Sequence, residues 1–271
     1  MKSIHLIAES VILLSPHNRV KPLHLKKRDM SSPPLRLVVF CNGRSGSHLL
    51  GSYLDQHPEI HFDHEQFGGD IKKQYNTPLP YYFSRYLPNS YLKWRISKAE
   101  KPGYGLSFHL ANYHHTSLRI QHLHAQGYHI IRLNRDDPWE QAMSHLVAFS
   151  SKKWHQKEKP AGIQESPQIT LEPKKALSSV LNYRNAQKSL NKEVAPYPHL
   201  KLSYVDDLQR PEMHQDTMSR VFAHLGLSDI KLEQSPFRKT YKQPYSEIIS
   251  NYDELRAKAE KRGWLETHGT S

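Results

Sequence analysis

The sequence predicts an α/β fold of three layers, a P-loop-like arrangement in which a central, mainly parallel sheet is flanked by helices. Two observations carry this prediction: short apolar runs that predict strands alternate with amphipathic segments, and the chain is long enough for one large domain. The predicted strands cover residues 35–40, 104–110, 128–134 and 200–204. The main predicted helices cover residues 45–56, 139–149, 174–194, 213–225 and 246–261. Strands that alternate with helices pair in parallel and are covered on both faces.

The first predicted strand runs into a turn of small residues and then into a helix. Residues 35–50, LRLVVFCNGRSGSHLL, begin with a β-branched apolar run that ends at Asn42. Such a turn directs backbone N–H groups and the positive helix end at one point, which predicts an anion site. Arg44 would add a planar fork of donors there. The ATP-binding pattern G-x-x-x-x-G-K-[ST] is not met, because Gly43 and Gly46 are three apart and no Lys follows.

The composition indicates a basic protein without a disulfide framework. The net charge of +12 predicts an anionic partner, namely nucleic acid, an anionic surface or a phosphorylated small molecule, with a simple effect on solubility as the alternative. The single Cys41 cannot form an internal disulfide. The 19 histidines are scattered, and His114-His115 lacks a third ligand at a suitable spacing. No metal site is therefore expected.

Residues 1–34 are predicted to form a flexible, basic N-terminal extension, and residues 35–271 a single domain. The extension contains six Lys or Arg and two acidic residues, for a net charge of +4. Its apolar stretch at residues 4–14 is too short to span a bilayer and poorly suited as a signal-peptide core. Met30 is a candidate for the true start.

Two segments after the first helix contain candidate functional side chains. Residues 57–70 are predicted to form a polar loop, which includes His61, His64 and Glu65. Residues 75–94 are rich in aromatic residues and proline. This composition suits a surface for sugars or other flat acceptors, and equally a lid that packs on its own rings.

Several blocks of the sequence resemble sulfotransferases that use PAPS (3′-phosphoadenosine 5′-phosphosulfate), and carbohydrate sulfotransferases in particular. Residues 44–60, RSGSHLLGSYLDQHPEI, resemble the 5′-phosphosulfate loop and helix, with R-[ST]-G-[ST]-x-L-L and a later H-P. Residues 130–155 resemble the 3′-phosphate block of the bacterial trehalose sulfotransferase type, R-x-D-x-x-x-Q-A-x-S followed by W-H. The family's later strand, helix and C-terminal cofactor loop resemble residues 202–208, 222–227 and 238–255.

The resemblance implies two anion sites, one for each charged end of PAPS. Arg44 would stabilise the bridging and leaving oxygens, and the 5′ end would be held by Ser45, Gly46, Ser47 and His48. The 3′-phosphate would be bound by Arg135, Ser144, Arg238 and Lys239. Sulfuryl transfer requires mainly positioning and charge stabilisation from the protein, so no metal is required. Unlike the family pattern, His48 stands where a small hydroxyl residue is usual.

An acceptor hydroxyl needs a base, and the resemblance places an E-x-F element after the loop helix, here Glu65-Gln66-Phe67. Glu65 is therefore the predicted catalytic base, with His61 and His64 as alternatives. Asp137, just before Pro138, is predicted to cap the following helix rather than to take part in chemistry.

The sequence thus predicts a PAPS-dependent sulfotransferase that acts on a carbohydrate or glycolipid hydroxyl and releases PAP. The alternatives are a P-loop-type kinase of a small molecule, against which the loop pattern argues, and a basic nucleic-acid-binding protein, for which no recognised motif is present. A cytoplasmic location is expected from the cytosolic origin of PAPS. A lipid acceptor would bring the protein to a membrane surface, and the family often forms homodimers.

Overall fold

The computed structural model describes residues 34–67, 79–109, 120–151, 156–157, 168–238 and 243–265, with the backbone alone at 156–157 and 238. Five parallel strands form the central sheet: β1 (Arg36–Cys41), β2 (Ile60–Glu65), β3 (Gly103–His109), β4 (His129–Asn134) and β6 (His199–Ser203). Their order in the sheet is β2–β3–β1–β4–β6. Two short strands, β5 (Gln156–Lys157) and β7 (Phe237–Arg238), pair antiparallel beside it.

The described helices surround this sheet. They are α1 (Ser47–Leu54), α2 (Leu79–Tyr86), α3 (Pro88–Ser97), α4 (Ile120–Ala125), α5 (Pro138–Ser151), α6 (Pro173–Val194), α7 (His214–His224), α8 (Tyr245–Ile248) and α9 (Tyr252–Glu260). A π-helical turn (Tyr204–Leu208) and a 3-10 turn (Pro211–Met213) connect β6 to α7. Within the described ranges, none of the helices combines the length and the apolar composition needed to cross a bilayer.

Helices cover both faces of the sheet, because the side chains of its central strand alternate between two hydrophobic clusters. Leu37 and Val39 of β1 pack with α1 and α7 on one face. Val38 and Phe40 pack with α3, α4 and α6 on the other. A third cluster joins α5 and α6 to α8 and α9. The predicted α/β fold, with a parallel sheet between two helical layers, is therefore confirmed.

Two local predictions differ from the structure. The segment predicted as a polar loop contains the edge strand β2, in which Ile60 and Phe62 are buried against α1. The predicted final helix is divided into α8 and α9, since Ile249 has an extended backbone and forms an isolated parallel bridge with Ile169. The other predicted strands are present, with ends that differ by at most one residue.

Buried histidines make stability depend on pH. Burial lowers the pKa of His57 and His224. His57 is buried, and its Nδ1 accepts from the Glu59 amide at 3.1 Å, so a proton on that nitrogen would break the bond. A lowered pKa means that the unfolded chain binds more protons than the folded one below about pH 6.5.

We therefore expect the free energy of unfolding to fall as the pH drops below about 6.5, the range in which unfolded histidines take up protons. Urea titrations at about pH 7.5 and about pH 5.5 measure this while most carboxylates stay ionised. In His57→Asn the side-chain oxygen still accepts from the amide but takes up no proton, so this variant should lose less stability on acidification. Equal stability of the wild type at both pH values would contradict the prediction.

Candidate active site

The candidate active site begins at the loop between β1 and α1, which leads into the start of α1. Arg44 and Gly46 have positive φ angles of 66° and 91°. The φ angle of 91° favours glycine, and a Cβ at Gly46 would also lie 2.6 Å from the Tyr204 ring. Among the described residues, no side chain caps α1. The first backbone N–H groups of a helix have no partner within the helix, so this end is suited to bind an anion.

Two arginines meet at this loop. The Nε of Arg44 donates to Ser144 Oγ at 3.1 Å, and Arg135 Nη1 donates to the carbonyl oxygen of Arg44 at 3.4 Å. The Arg135 guanidinium is buried and lies 5.0 Å from the centre of the Tyr204 ring. Burial lowers the pKa of Arg44, and the nearby charge of Arg135 also lowers it. An anion bound between the two guanidinium groups would offset both effects.

Two glutamines hold this pair of arginines in place. Gln141 of α5 donates to the carbonyl oxygen of Gly43 at 2.7 Å. Gln187 of α6 donates to the carbonyl oxygen of Arg135 and, at 3.1 Å, to Gln141 Oε1. Both glutamines are buried. The loop after β1 and the chain after β4 are therefore fixed to the same two helices, which keeps Arg44 and Arg135 close together.

Two further polar side chains of the loop are buried. The amide of Asn42 and the hydroxyl of Ser45 have no hydrogen-bond partner in the described part of the chain. A buried polar group without a partner is costly, commonly by about 1–3 kcal/mol. Buried polar groups without a partner, beside the positive end of a helix dipole, are expected where a ligand provides the missing hydrogen bonds.

The C-terminal segment also reaches α1. Ser52 and Ser235 share a hydrogen bond of 2.6 Å, and the rings of His48 and Phe237 are 5.6 Å apart. The next residue is Arg238, whose backbone belongs to β7. Lys239 lies outside the described residues. Phe237, two residues before Lys239, lies beside the start of α1 through its contact with the His48 ring.

A carboxylate and an imidazole lie together at the same edge of the sheet. Glu65 Oε2 is 3.1 Å from His109 Nδ1, at the ends of β2 and β3. His109 is in register with Cys41, three residues before Arg44. The carboxyl ends of parallel strands lie at one edge of a sheet, where ligands bind in open α/β folds. The sequence analysis named Glu65 as a candidate base and did not name His109.

A buried polar network fixes the end of β2. Asp63 is buried, and its carboxylate accepts from Arg95 Nε at 2.6 Å and from the Tyr104 hydroxyl at 2.7 Å. Gln66 donates to the carbonyl oxygen of Asp63 at 2.6 Å and accepts from Tyr91 at 2.9 Å. These bonds tie β2 to α3 and β3, on both sides of Glu65. The position of Glu65 is therefore set by rigid elements rather than by a loop.

The two histidines considered as alternative bases lie in different places. The His64 ring stacks on the His48 ring at 5.0 Å, which puts it beside α1. His61 is in register with Tyr104, and Tyr104 with Arg36, at the start of β1. His61 is four residues before Glu65 in β2, and four residues of a strand span about 13 Å. His61 therefore lies at the end of the sheet away from Arg44, which argues against it as the base.

The structure brings most of the predicted site residues into one region. The predicted 5′ and 3′ groups touch through Arg44, Arg135 and Ser144, and His48 contacts both β2 and the C-terminal segment. Asp137 caps α5, as predicted, by accepting from the amides of Trp139 and Glu140. In the described ranges, no three His, Cys, Asp or Glu side chains form a cluster that would hold a metal ion.

Comparisons with known proteins give matches among solved structures at low sequence identity. No protein-family model matches the chain, and no curated protein sequence matches it. The sulfotransferase domain of the Synechococcus PCC 7002 olefin synthase is 11% identical, with a TM-score of 0.44, over 92% of this chain and 94% of that one. The sulfotransferase domain of the curacin biosynthetic pathway is also 11% identical, with a TM-score of 0.38, over 79% and 80%. Mouse sulfotransferase SULT7A1, complexed with PAP, is 13% identical, with a TM-score of 0.42, over 87% and 72%.

Proposed function

We propose that the protein is a PAPS-dependent sulfotransferase that transfers a sulfuryl group to a hydroxyl of a carbohydrate or glycolipid. The observation that carries the proposal is the meeting of Arg44 and Arg135 at the uncapped start of α1. This arrangement provides two fixed cations and a helix dipole for one strongly anionic ligand. The resemblance of residues 44–60 and 130–155 to the PAPS-binding blocks supports PAPS as that ligand.

The residues present fit such a donor. The amides at the start of α1 and the Ser45 hydroxyl would hold the 5′-phosphosulfate. Arg44 would neutralise the charge that grows on the leaving oxygen. Arg135 and Ser144 would bind the 3′-phosphate, with Arg238 and Lys239 in the C-terminal segment. Both phosphates of PAPS are attached to one ribose, so adjacent anion sites suit it better than distant ones.

The Glu65–His109 pair would serve the acceptor. When bound, PAPS supplies the sulfuryl group and departs as PAP. The acceptor oxygen forms a bond to sulfur while the bond from sulfur to the bridging oxygen breaks. The hydroxyl proton passes to the Glu65 carboxylate, and His109 at 3.1 Å holds that carboxylate in position. The atoms and electrons of this transfer balance without an oxidant, a reductant or a metal.

Calorimetric titration with 3′,5′-ADP, 5′-AMP and ATP tests the donor assignment. Tight, stoichiometric binding of 3′,5′-ADP, with 5′-AMP much weaker, is the expected result, because only the first ligand engages both arginines. A preference for ATP with Mg²⁺ would overturn the proposal in favour of a kinase. Binding only to DNA, with a steep dependence on salt, would instead indicate a nucleic-acid-binding protein.

The organisation of the chain is part of the proposal. Residues 1–34 would form a basic extension outside the catalytic domain, which begins at about residue 35. A cytoplasmic location would give the enzyme access to PAPS. Comparison of the full chain with a variant that begins at Met30 in a sulfuryl-transfer assay tests this: equal kcat/KM is expected if the segment lies outside the site.

A further inference from the structure

Helix α2 exposes large apolar side chains along one face. Leu79, Tyr82 and Tyr86 are spaced as i, i+3 and i+7, which places them on one side of the helix, and Leu87 follows the last residue of the helix. Their exposed fractions are 44%, 47%, 70% and 50%. The rings of Tyr82 and Tyr86 are stacked at 6.2 Å with an interplanar angle of 12°. We call these four side chains the tyrosine face.

The opposite side of α2 is held by the protein. Pro80 and Ser84 are buried there, and Phe83, which lies between Leu79 and Pro80 around the helix, contacts the rings of Tyr91 and Trp94 of α3 at 5.7 and 6.3 Å. The tyrosine face therefore sits on a packed base rather than on a free helix. Exposed aromatic side chains on a rigid base are a common feature of interaction surfaces.

The charged side chains of residues 79–99 all have one sign. Residues 79–99 contain no Asp or Glu, and Arg85, Lys93 and Lys98 are exposed. Arg95, the other cation of this segment, is paired with Asp63 in the buried network. The segment that carries the tyrosine face is thus basic, and one of its exposed cations, Arg85, belongs to α2 itself.

We propose that the tyrosine face docks the protein on an anionic lipid bilayer. Tyrosine prefers the boundary between hydrocarbon and water, where its ring is buried and its hydroxyl stays hydrated. The exposed cations would contact anionic headgroups at the same depth. An apolar stripe beside basic residues is the pattern of helices that lie in the bilayer interface. This proposal does not depend on the reaction proposed above.

A second copy of the chain fits this surface less well. Four side chains provide well under the roughly 800 Å² per partner that a stable interface buries. In a symmetric dimer the cations beside the face would also approach their own copies, because each patch of a twofold interface meets itself or its near neighbours. Repulsion between like charges would then oppose association.

Cosedimentation of the full chain with vesicles tests the proposal. We expect binding to vesicles of phosphatidylcholine and phosphatidylglycerol in a two-to-one ratio, at physiological ionic strength, and much weaker binding to phosphatidylcholine alone. The variant Tyr82→Ser/Tyr86→Ser should bind about tenfold less tightly or worse, because it loses two interfacial rings. Phe149→Ser is the matched control: Phe149 of α5 is 67% exposed, and its loss should leave binding unchanged.

The remaining outcomes are equally decisive. Lys93→Glu/Lys98→Glu should weaken binding to the anionic vesicles without touching the apolar stripe. Absence of vesicle binding by the wild type overturns the proposal, and so does equal binding by the double tyrosine variant, which would mean attraction by net charge alone. The proposal is also overturned if sedimentation equilibrium without lipid finds a dimer and Tyr82→Ser/Tyr86→Ser dissociates it.

Discussion

Replacing Arg44 with alanine is expected to reduce sulfuryl transfer by about 10³- to 10⁵-fold, the range typical of an arginine that stabilises a transferring group. Arg44 follows the β1 strand, and its Nε already donates to Ser144, so its guanidinium is held in place before the substrate binds. Its removal would leave the leaving oxygen without the adjacent cation. Single-turnover transfer from PAPS, with acceptor in excess, measures the loss.

Two further variants separate this effect from a loss of folding. The φ angle of 66° at Arg44 is strained for any residue with a Cβ, so Arg44→Gly should be at least as stable as the wild type and still be inactive. Arg36 lies at the other end of β1, with its guanidinium 5.9 Å from the centre of the Tyr128 ring. Arg36→Ala is therefore the matched control and should retain transfer. Near-normal turnover in Arg44→Gly would refute the assignment.

The parts of the fold that sequence predicted are those in which local pattern and tertiary environment agree. Strand β1 is apolar at every buried position from Leu37 to Cys41, as a central strand covered on both faces requires. Helix α6 was predicted to within one residue, because Leu177, Val180 and Leu190 repeat at helical spacing over a long segment. In both cases a single periodicity specifies the element.

Strand β2 was missed because its pattern is weak. Only Ile60 and Phe62 alternate, and the rest of IHFDHE is polar or charged. The strand lies at the edge of the sheet, and its pairing with β3 shifts register between Phe62 and Glu65. Its acidic residue Asp63 is buried only because Arg95 and Tyr104 reach it from elements distant in sequence. No local rule predicts such a partner.

The candidate site shows the same division. The loop at Arg44 was predictable because a strand, a small-residue turn and a helix are adjacent in sequence. The contact of Arg44 with Ser144 spans 100 residues and depends on the packing of α5 beside the loop. His109 was missed for a similar reason, since its approach to Glu65 depends on the shifted register of β2 and β3.

Replacing Glu65 with glutamine is expected to reduce transfer by about 10²- to 10⁴-fold, the usual contribution of a general base. Binding of 3′,5′-ADP should be unchanged, because Glu65 lies on β2, outside the anion site. His109→Gln should also reduce transfer, since His109 Nδ1 is 3.1 Å from Glu65 Oε2 and holds that carboxylate in position. The double variant should then be no slower than the slower single variant, because residues that act as a unit are not additive.

The size of the combined loss decides how the proton moves. If the two losses multiply, Glu65 and His109 act separately and the pair is not the base. If Glu65→Gln retains nearly normal turnover, the base is elsewhere, and His64, which stacks on His48 beside α1, is the next residue to replace. His61→Gln is the control from the same strand: because its position is at the far end of the sheet, its turnover should match that of the wild type.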